Sequence, residues 1–456
     1  MFARTPASAW LRRSITNRAV LYKAETGKAC DAFPVLISAC NSTQRPYITV
    51  LATHPDSRQI SADLLKQLLE QARYLDSGET LRFLTSFREQ LDGEIHQIRR
   101  FADRRDQLLT QIPACNDYAR LGELHQLLNE LEMEVFLKVY SVHALHHNCT
   151  EYRDLLVRRT LKLVEDELRE SGKGDPPVQY ALLSTGSDGR DEQTLITDQD
   201  HLIVYGDGGG DDADLWFADF SMLLVQRLEE IGVKKCVGDM MPSNPAWRGS
   251  SRQWQRRLIC CVRYECAPED YGKNMMSLIV LSDARYVAGD RELATELVDT
   301  IRSVERDYFQ ALWGMAKAAT EMRLALGFLK RIWTEGSGEH KGAFNLKLLA
   351  WAPLIMNVRI LAINQGIPAT NTVRRIELLR QEKSLSPAIA AGLGEGYEVL
   401  TRHRIIMQIK VIKGIQKDPH YLNPYELTAD EREKIRQALL RIEELQRAIH
   451  TNFSIM

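Results

Sequence analysis

Apolar positions recur at helical spacing in two early stretches. Leu64, Leu65, Leu68, Leu69 and Ala72 form the first, and Leu121, Leu124, Leu127, Leu128 and Leu131 the second. Intervals of three and four residues put such positions on one helix face, so both stretches predict helices. A strand-like run, Tyr47 to Ala52, precedes them, and the helical pattern continues through Tyr152 to Glu170. Ser171-Gly-Lys-Gly-Asp-Pro-Pro177 then breaks it with turn formers. From Val178 the pattern changes to short apolar runs: Val178–Leu183, His201–Tyr205, Leu258–Val262 and Met275–Leu281, which predict strands of one sheet. An amphipathic helix, Leu215 to Ile231, separates the second run from the third, and Gly232 supplies its stop. Beyond Glu292 helical periodicity returns and persists to the C-terminus. There Ser386-Pro387 offers an N-cap with a first-turn proline, and Thr428-Ala-Asp-Glu431 has the spacing of a capping box.

These segments predict an α+β chain in four parts. Residues 1–60 are an N-terminal extension, 61–171 a helical region, 172–292 a small mixed-sheet domain, and 293–456 a helical bundle. A length of 456 residues agrees with more than one domain. Hydrophobic residues at 44% and charged residues at 26% are ordinary for a globular protein. Lys and Arg number 59 against 61 Asp and Glu, a net charge of −2, so no global electrostatic attraction to nucleic acid is expected. Eight cysteines occur without a single C-x-x-C, which predicts reduced thiols and a cytoplasmic setting. No membrane span is expected: the most apolar long stretch, Leu346 to Ile363, is interrupted by Lys347, Asn357 and Arg359. The first 24 residues carry five basic side chains and no acid before Glu25, a composition that suits either a transit peptide or a frayed basic terminus.

The chemistry concentrates between Leu183 and Tyr205. A predicted strand runs into Gly186-Ser187, and Asp198-Gln-Asp200 opens the next one. Glycine lets the backbone approach a phosphate, and Ser187 adds a hydroxyl donor. Residues i and i+2 of a strand share a face, so Asp198 and Asp200 should present two carboxylates side by side, with Gln199 and His201 pointing away. Two such acids beside a phosphate-binding turn suit Mg²⁺, which takes one or two carboxylates plus substrate phosphates. Asp283, at the end of the apolar run Met276 to Leu281, is the candidate third carboxylate; the alternative is a turn closed by pairing with Arg285.

Gly-Ser followed by D-x-D on the next strand is similar to the nucleotidyltransferase superfamily that includes DNA polymerase beta, aminoglycoside nucleotidyltransferases and PII uridylyltransferase. The fuller string, Gly186-Ser-x-Gly-Arg-x-Glu-Gln193 with Thr197-Asp-Gln-Asp200, resembles the bacterial signal-transduction nucleotidyltransferases related to PII uridylyltransferase. Later landmarks extend the resemblance: Ser243-Asn-Pro-x-Trp-Arg248, Trp254, Arg257, Gly289-Asp290, and in the helical tail Lys347, Pro353-Leu354, Arg359, Gly366, Thr372 and Arg375. The resemblance implies Mg-dependent transfer of a nucleoside monophosphate from UTP or ATP to a hydroxyl, with release of pyrophosphate and a regulatory protein as acceptor. It implies a substrate-binding role for the C-terminal helices. Relatives often carry cyclic-nucleotide-binding or CBS domains ahead of this region, and residues 1–60 are too few for either. The alternative function is a non-catalytic nucleotide-binding signal-transduction module.

Other residues carry two readings each. Arg190 and Glu192 hold the triphosphate and its loop, or pair with each other. Trp247 stacks on a base while Arg248 grips phosphate, or the indole covers a sheet edge. Arg252, Arg256 and Arg257 form a local basic cluster, and Lys347 and Arg359 are candidates to face the cleft from the helical domain. His143, His146 and His147 share a helical face at i, i+3 and i+4, with Cys149 following, but no second ligand set has matching spacing and a metal site is not expected. Cys260, Cys261 and Cys266 read as strand fillers. The chain contains neither a G-x-S-x-G elbow nor a P-loop.

Overall fold

The computed structural model describes residues 35–38, 47–50, 75–263 and 271–455. The chain divides into two compact units, residues 1–96 with 138–141, and residues 97–137 with 142–456. The first contains an antiparallel hairpin of β1 (Val35–Ser38) and β2 (Tyr47–Val50), in register from Val35↔Val50 to Ser38↔Tyr47. The helix expected over Leu64 to Ala72 lies outside the described residues, as does the basic N-terminal segment.

Helices lead into the second unit: α1 (Ser77–Leu109), α2 (Tyr118–Val139) and α3 (Val142–Glu170). On α2, Leu121, Leu124, Leu128 and Leu131 are fully buried, as their spacing requires. The sheet that follows is mixed, with β3 (Tyr180–Ser184) at its centre beside β5 (His201–Tyr205), and with β7 (Arg248–Ser250) and β8 (Arg285–Gly289) at its edges. Strand β3 pairs antiparallel with both β5 and β8, and β5 pairs parallel with β7. Every residue of β3 and β5 is buried, which explains why both read as unbroken apolar runs. A separate short ladder joins β4 (Asp198–Gln199) in parallel to β6 (Lys234–Lys235).

A one-turn helix, α4 (Gly186–Gly189), follows β3, and α5 (Gly210–Glu230) follows β5. Phe217 and Phe220 of α5 anchor it to the sheet: Phe217 stacks on Tyr205 at 4.3 Å, and Phe220 meets Tyr180 edge-on at 5.3 Å. Two of the expected strands are helices instead, α6 (Ser251–Val262) and α7 (Tyr271–Leu281). The reason is visible in what they bury. Trp254, Leu258 and Val262 recur every four residues on α6, and Met275, Leu278 and Ile279 follow helical spacing on α7. A capping box between Ser250 and Gln253 starts α6. Cys260 and Cys261 therefore sit on a helix, the first exposed and the second half-buried.

The tail is a helical bundle: α8 (Arg291–Asp307), α9 (Phe309–Thr320), α10 (Ala352–Asn364), α11 (Thr372–Gln381), α12 (Pro387–Ile412) and α13 (Ala429–Asn452). Asp290 caps α8, Ser386 caps α12, and Thr428 with Glu431 forms the capping box of α13. Helix α8 packs against β3, β5 and β8 and so joins sheet and bundle. Before α10, β9 (Phe344–Asn345) pairs antiparallel with β10 (Tyr421–Leu422), which brings two distant loops together. Among the described residues, only Lys347–Asn364 is long and apolar enough to cross a membrane, and 72% of it is buried inside the fold.

Candidate functional site

The site begins where β3 ends. Gly186 adopts φ +57, and a Cβ built there would lie 2.6 Å from Oδ2 of Asp200, so only glycine fits the turn without displacing the carboxylate. The turn is tied to the next strand by the Thr185 N–H, which donates to the Asp200 carbonyl at 2.8 Å. Ser187 follows, half-buried.

Asp198 and Asp200 come together despite a break in the strand between them. Asp198 belongs to the β4/β6 ladder and Asp200 immediately precedes β5. The parallel register pairs Asp198 with Lys234 and Gln199 with Lys235, so the next step lays Asp200 beside Cys236. A ligand atom from each of Asp198, Asp200 and Cys236 lies within 4.8 Å of the others. The Gln199 amide faces away and donates to the Val225 and Val233 carbonyls. Burial, and then the neighbouring Asp198, push the Asp200 carboxyl up to about 7. Its Oδ1 is buried without a hydrogen-bond partner.

A buried, unpartnered carboxylate oxygen beside a second acid is costly unless a cation neutralises the pair, so these residues fit a divalent ion. The two carboxylates are the hard oxygen donors that Mg²⁺ requires. Cys236 hydrogen-bonds to Asp200, and its thiol is pushed up to about 12, first by burial and then by Asp200. Nothing in the sequence marks Cys236 as a site residue, because only the β4/β6 pairing brings it there.

Asp283 requires a correction. It is fully buried and lies outside the Asp198–Asp200–Cys236 cluster. Its Oδ2 accepts from Arg190 at 2.7 Å and from Arg359, and its Oδ1 accepts from Arg375 at 2.9 Å. Burial opposes its charge, yet Arg359, Arg190 and Arg375 outweigh that and hold the carboxyl below the usual range. The turn reading also fails, since Arg285 pairs instead with Asp154 and Asp188, each at 2.8 Å. Asp283 is thus an ionic tie between the sheet domain and helices α10 and α11.

Arg190 and Glu192 do pair, at 2.7 Å, and both are buried. Glu192 also accepts from the Thr372 N–H at the start of α11, at 2.6 Å. The loop after α4 is clamped further along. The Gln408 amide on α12 donates to Thr194 Oγ1 and the Ile196 carbonyl, and Arg153 on α3 donates to the Gln193 side chain and the Thr194 carbonyl. His146 belongs to the same clamp. Its ring nitrogens lie 2.7 Å from the Gln193 carbonyl and 3.2 Å from the Tyr397 hydroxyl, so both are engaged in holding the loop.

Trp247 is buried, and Arg248 donates to the Pro242 and Ser243 carbonyls at 2.9 and 2.7 Å. Arg257 donates to the Arg248 carbonyl at 2.6 Å and lies over the Trp254 ring. These residues hold the 242–248 loop against the sheet edge, while Arg252 and Arg256 are exposed. His201 Nε2 lies 3.5 Å from Asp188.

From the bundle, Arg359 goes to Asp283, whereas Lys347 lies within the electrostatic field of Asp198 and Asp200. Arg404 and His420, which no motif singles out, also lie within the field of Asp198.

A small mixed sheet carrying a carboxylate pair beside a glycine turn, roofed by a helical bundle, defines the class of nucleotidyltransferases. The family model "Putative nucleotidyltransferase DUF294" matches residues 123–266 and "Putative nucleotidyltransferase substrate binding domain" matches residues 309–453, and the chain belongs to this nucleotidyltransferase family. No curated protein matches the chain.

Proposed function

We propose that this protein transfers a nucleoside monophosphate from UTP or ATP to a hydroxyl acceptor, with a regulatory protein as the acceptor class, in the manner of PII uridylyltransferase. The convergence of Asp198 and Asp200, with one buried oxygen unpartnered, carries this reading. In the transfer, the acceptor oxygen bonds to the α-phosphorus, the bond to the bridging oxygen breaks, pyrophosphate leaves and the hydroxyl proton is lost to solvent. A bound divalent cation, Mg²⁺ by the oxygen donors, would supply charge neutralisation at the phosphates.

The chain's own residues do the rest. Asp198 and Asp200 hold the cation, the Gly186 turn admits the triphosphate, and the Ser187 hydroxyl donates to it. Arg190 and Glu192 act one step removed, by fixing the loop that carries these groups. Trp247 and Arg248 shape the adjoining wall through their loop contacts.

Incubating the pure protein with labelled UTP or ATP, Mg²⁺ and cell lysate tests the proposal. Label should appear on an acceptor with wild type and vanish with Asp198→Ala plus Asp200→Ala. Label transfer that survives the double substitution would sink the site. A second reading, a nucleotide-binding module without transfer, is favoured by one observation: the expected third carboxylate is bound to three arginines. Nucleotide binding with no transfer to any lysate component would select that reading.

A further inference from the structure

Lys347, Arg404 and His420, from three different parts of the bundle, all lie within the electrostatic field of Asp198. Lys347 opens the turn before α10, Arg404 lies on α12, and His420 precedes β10. The β9/β10 pairing brings the first and last together, with the Leu346 N–H donating to the His420 carbonyl at 2.7 Å. Arg404 is buried, and its guanidinium lies 4.1 Å from the centre of the Trp351 ring. Trp351 is itself fixed by its indole N–H, which donates to Thr401 at 3.1 Å.

What distinguishes Arg404 from the three buried arginines around Asp283 is what it lacks. Arg190, Arg359 and Arg375 all pair with Asp283. Arg404 forms no ion pair among the described residues, and its Nε and Nη1 are buried without hydrogen-bond partners. Lys347 likewise has no ion pair among the described residues, and His420 Nδ1 is buried without a partner. Burial and then the charge of Arg404 lower Lys347, and burial and then the charge of Arg190 lower Arg404 to about 10. A buried guanidinium with unpartnered donors is expensive, and a fold retains one where an anion completes it. The carboxylates opposite cannot be that anion when they hold a cation. Two cations, Lys347 and Arg404, with the uncharged His420 ring beside them and within the field of a metal-binding pair, match a ligand with several negative oxygens that bridges both.

We propose that Lys347, Arg404 and His420 form a polyphosphate subsite on the C-terminal helical domain, which receives the phosphate tail of the nucleotide opposite Asp198 and Asp200. The assignment rests on the nucleotidyl-transfer reading for the identity of the ligand, but the subsite itself recognises any di- or triphosphate. It makes the C-terminal domain a part of the nucleotide site and not only a platform for the acceptor.

Inorganic tripolyphosphate, titrated calorimetrically into the full chain without divalent metal, tests the subsite apart from the reaction. Wild type should bind, and Lys347→Met and Arg404→Met should each weaken binding by about tenfold or more, the worth of one charge-assisted hydrogen bond. Arg404→Met should unfold at the same temperature as wild type or higher, since it removes an unpaired buried charge; a merely structural arginine would lower it. Absence of tripolyphosphate binding by wild type, or binding unchanged in both variants, overturns the proposal. The companion arm uses the labelled nucleotide in the transfer assay. Tripolyphosphate binding that depends on Lys347 and Arg404 without any label transfer leaves the subsite standing and removes the transfer reading. Transfer in which both variants keep the wild-type KM for the nucleotide does the reverse.

Discussion

Replacing Asp283 with asparagine separates a structural keystone from a catalytic acid. The carboxylate is fully buried and accepts from Arg190, Arg359 and Arg375. Once neutralised, Arg190 keeps Glu192, but Arg359 and Arg375 lose the only carboxylate they pair with among the described residues. Removing one partner from a buried ionic cluster costs about 3–5 kcal/mol, because the charges left behind have neither water nor a counter-ion. With a urea slope of about 3 kcal/mol per M, that loss lowers the unfolding midpoint by about 1–2 M. Circular dichroism of urea-titrated wild type and Asp283→Asn measures it. Adding Arg359→Met to Asp283→Asn should recover part of the loss, since one stranded guanidinium is then gone. An unchanged midpoint together with abolished nucleotidyl transfer would refute the reasoning and return Asp283 to the reacting groups.

Further outcomes follow from other contacts. Gly186→Ala should abolish divalent-ion binding, followed by calorimetry, because the added methyl would meet Asp200 Oδ2 at 2.6 Å; unaltered binding would contradict the cradle. The contribution of His146 and His125 to stability should fall as pH drops from about 6.5 toward 4. Burial lowers His146 and His125 from 6.5 to about 4, so the unfolded chain binds more protons in that window. The limit is about 3 kcal/mol for each ring, opposed in the same window by the raised carboxyls of Asp200 and Glu305, so the check is ring by ring: an NMR titration in which either imidazole of the folded protein protonates near pH 6.5 would rule this out. Cys236, buried and with its thiol near 12, should resist iodoacetamide at pH 8 in the folded protein, as mass spectrometry of the alkylated peptide would show. Rapid modification there would mean that the thiol is ionised and open to solvent.

The centre of the site was more legible than its surroundings, for physical reasons. Strands β3 and β5 announce themselves because both are buried throughout, and i, i+2 spacing is enough to place two carboxylates together. Capping at Ser386 and Thr428 is equally local, and the structure shows both caps. Helices α6 and α7 differ from the expected strands because a short apolar run looks alike in either state; for α6 the Ser250–Gln253 capping box is the local helix signal. The role of Asp283 is not legible in its own segment because its partners Arg359 and Arg375 lie 76 and 92 residues away, at positions that only packing of the bundle brings near. The same holds for Cys236 and Arg404. Each is an unremarkable residue on its own segment, and only tertiary packing places Cys236 beside Asp200 and Arg404 over Trp351.

The central claim is that Asp198 and Asp200 hold a divalent ion at the nucleotide site. A crystal of the full chain grown with Mn²⁺ and a non-hydrolysable nucleoside triphosphate, recorded at the manganese edge, tests it directly. The account predicts an anomalous peak at about 2.0–2.2 Å from oxygens of both carboxylates, with phosphate oxygens completing the coordination. Bound nucleotide without a peak there, or manganese bound elsewhere, would contradict it.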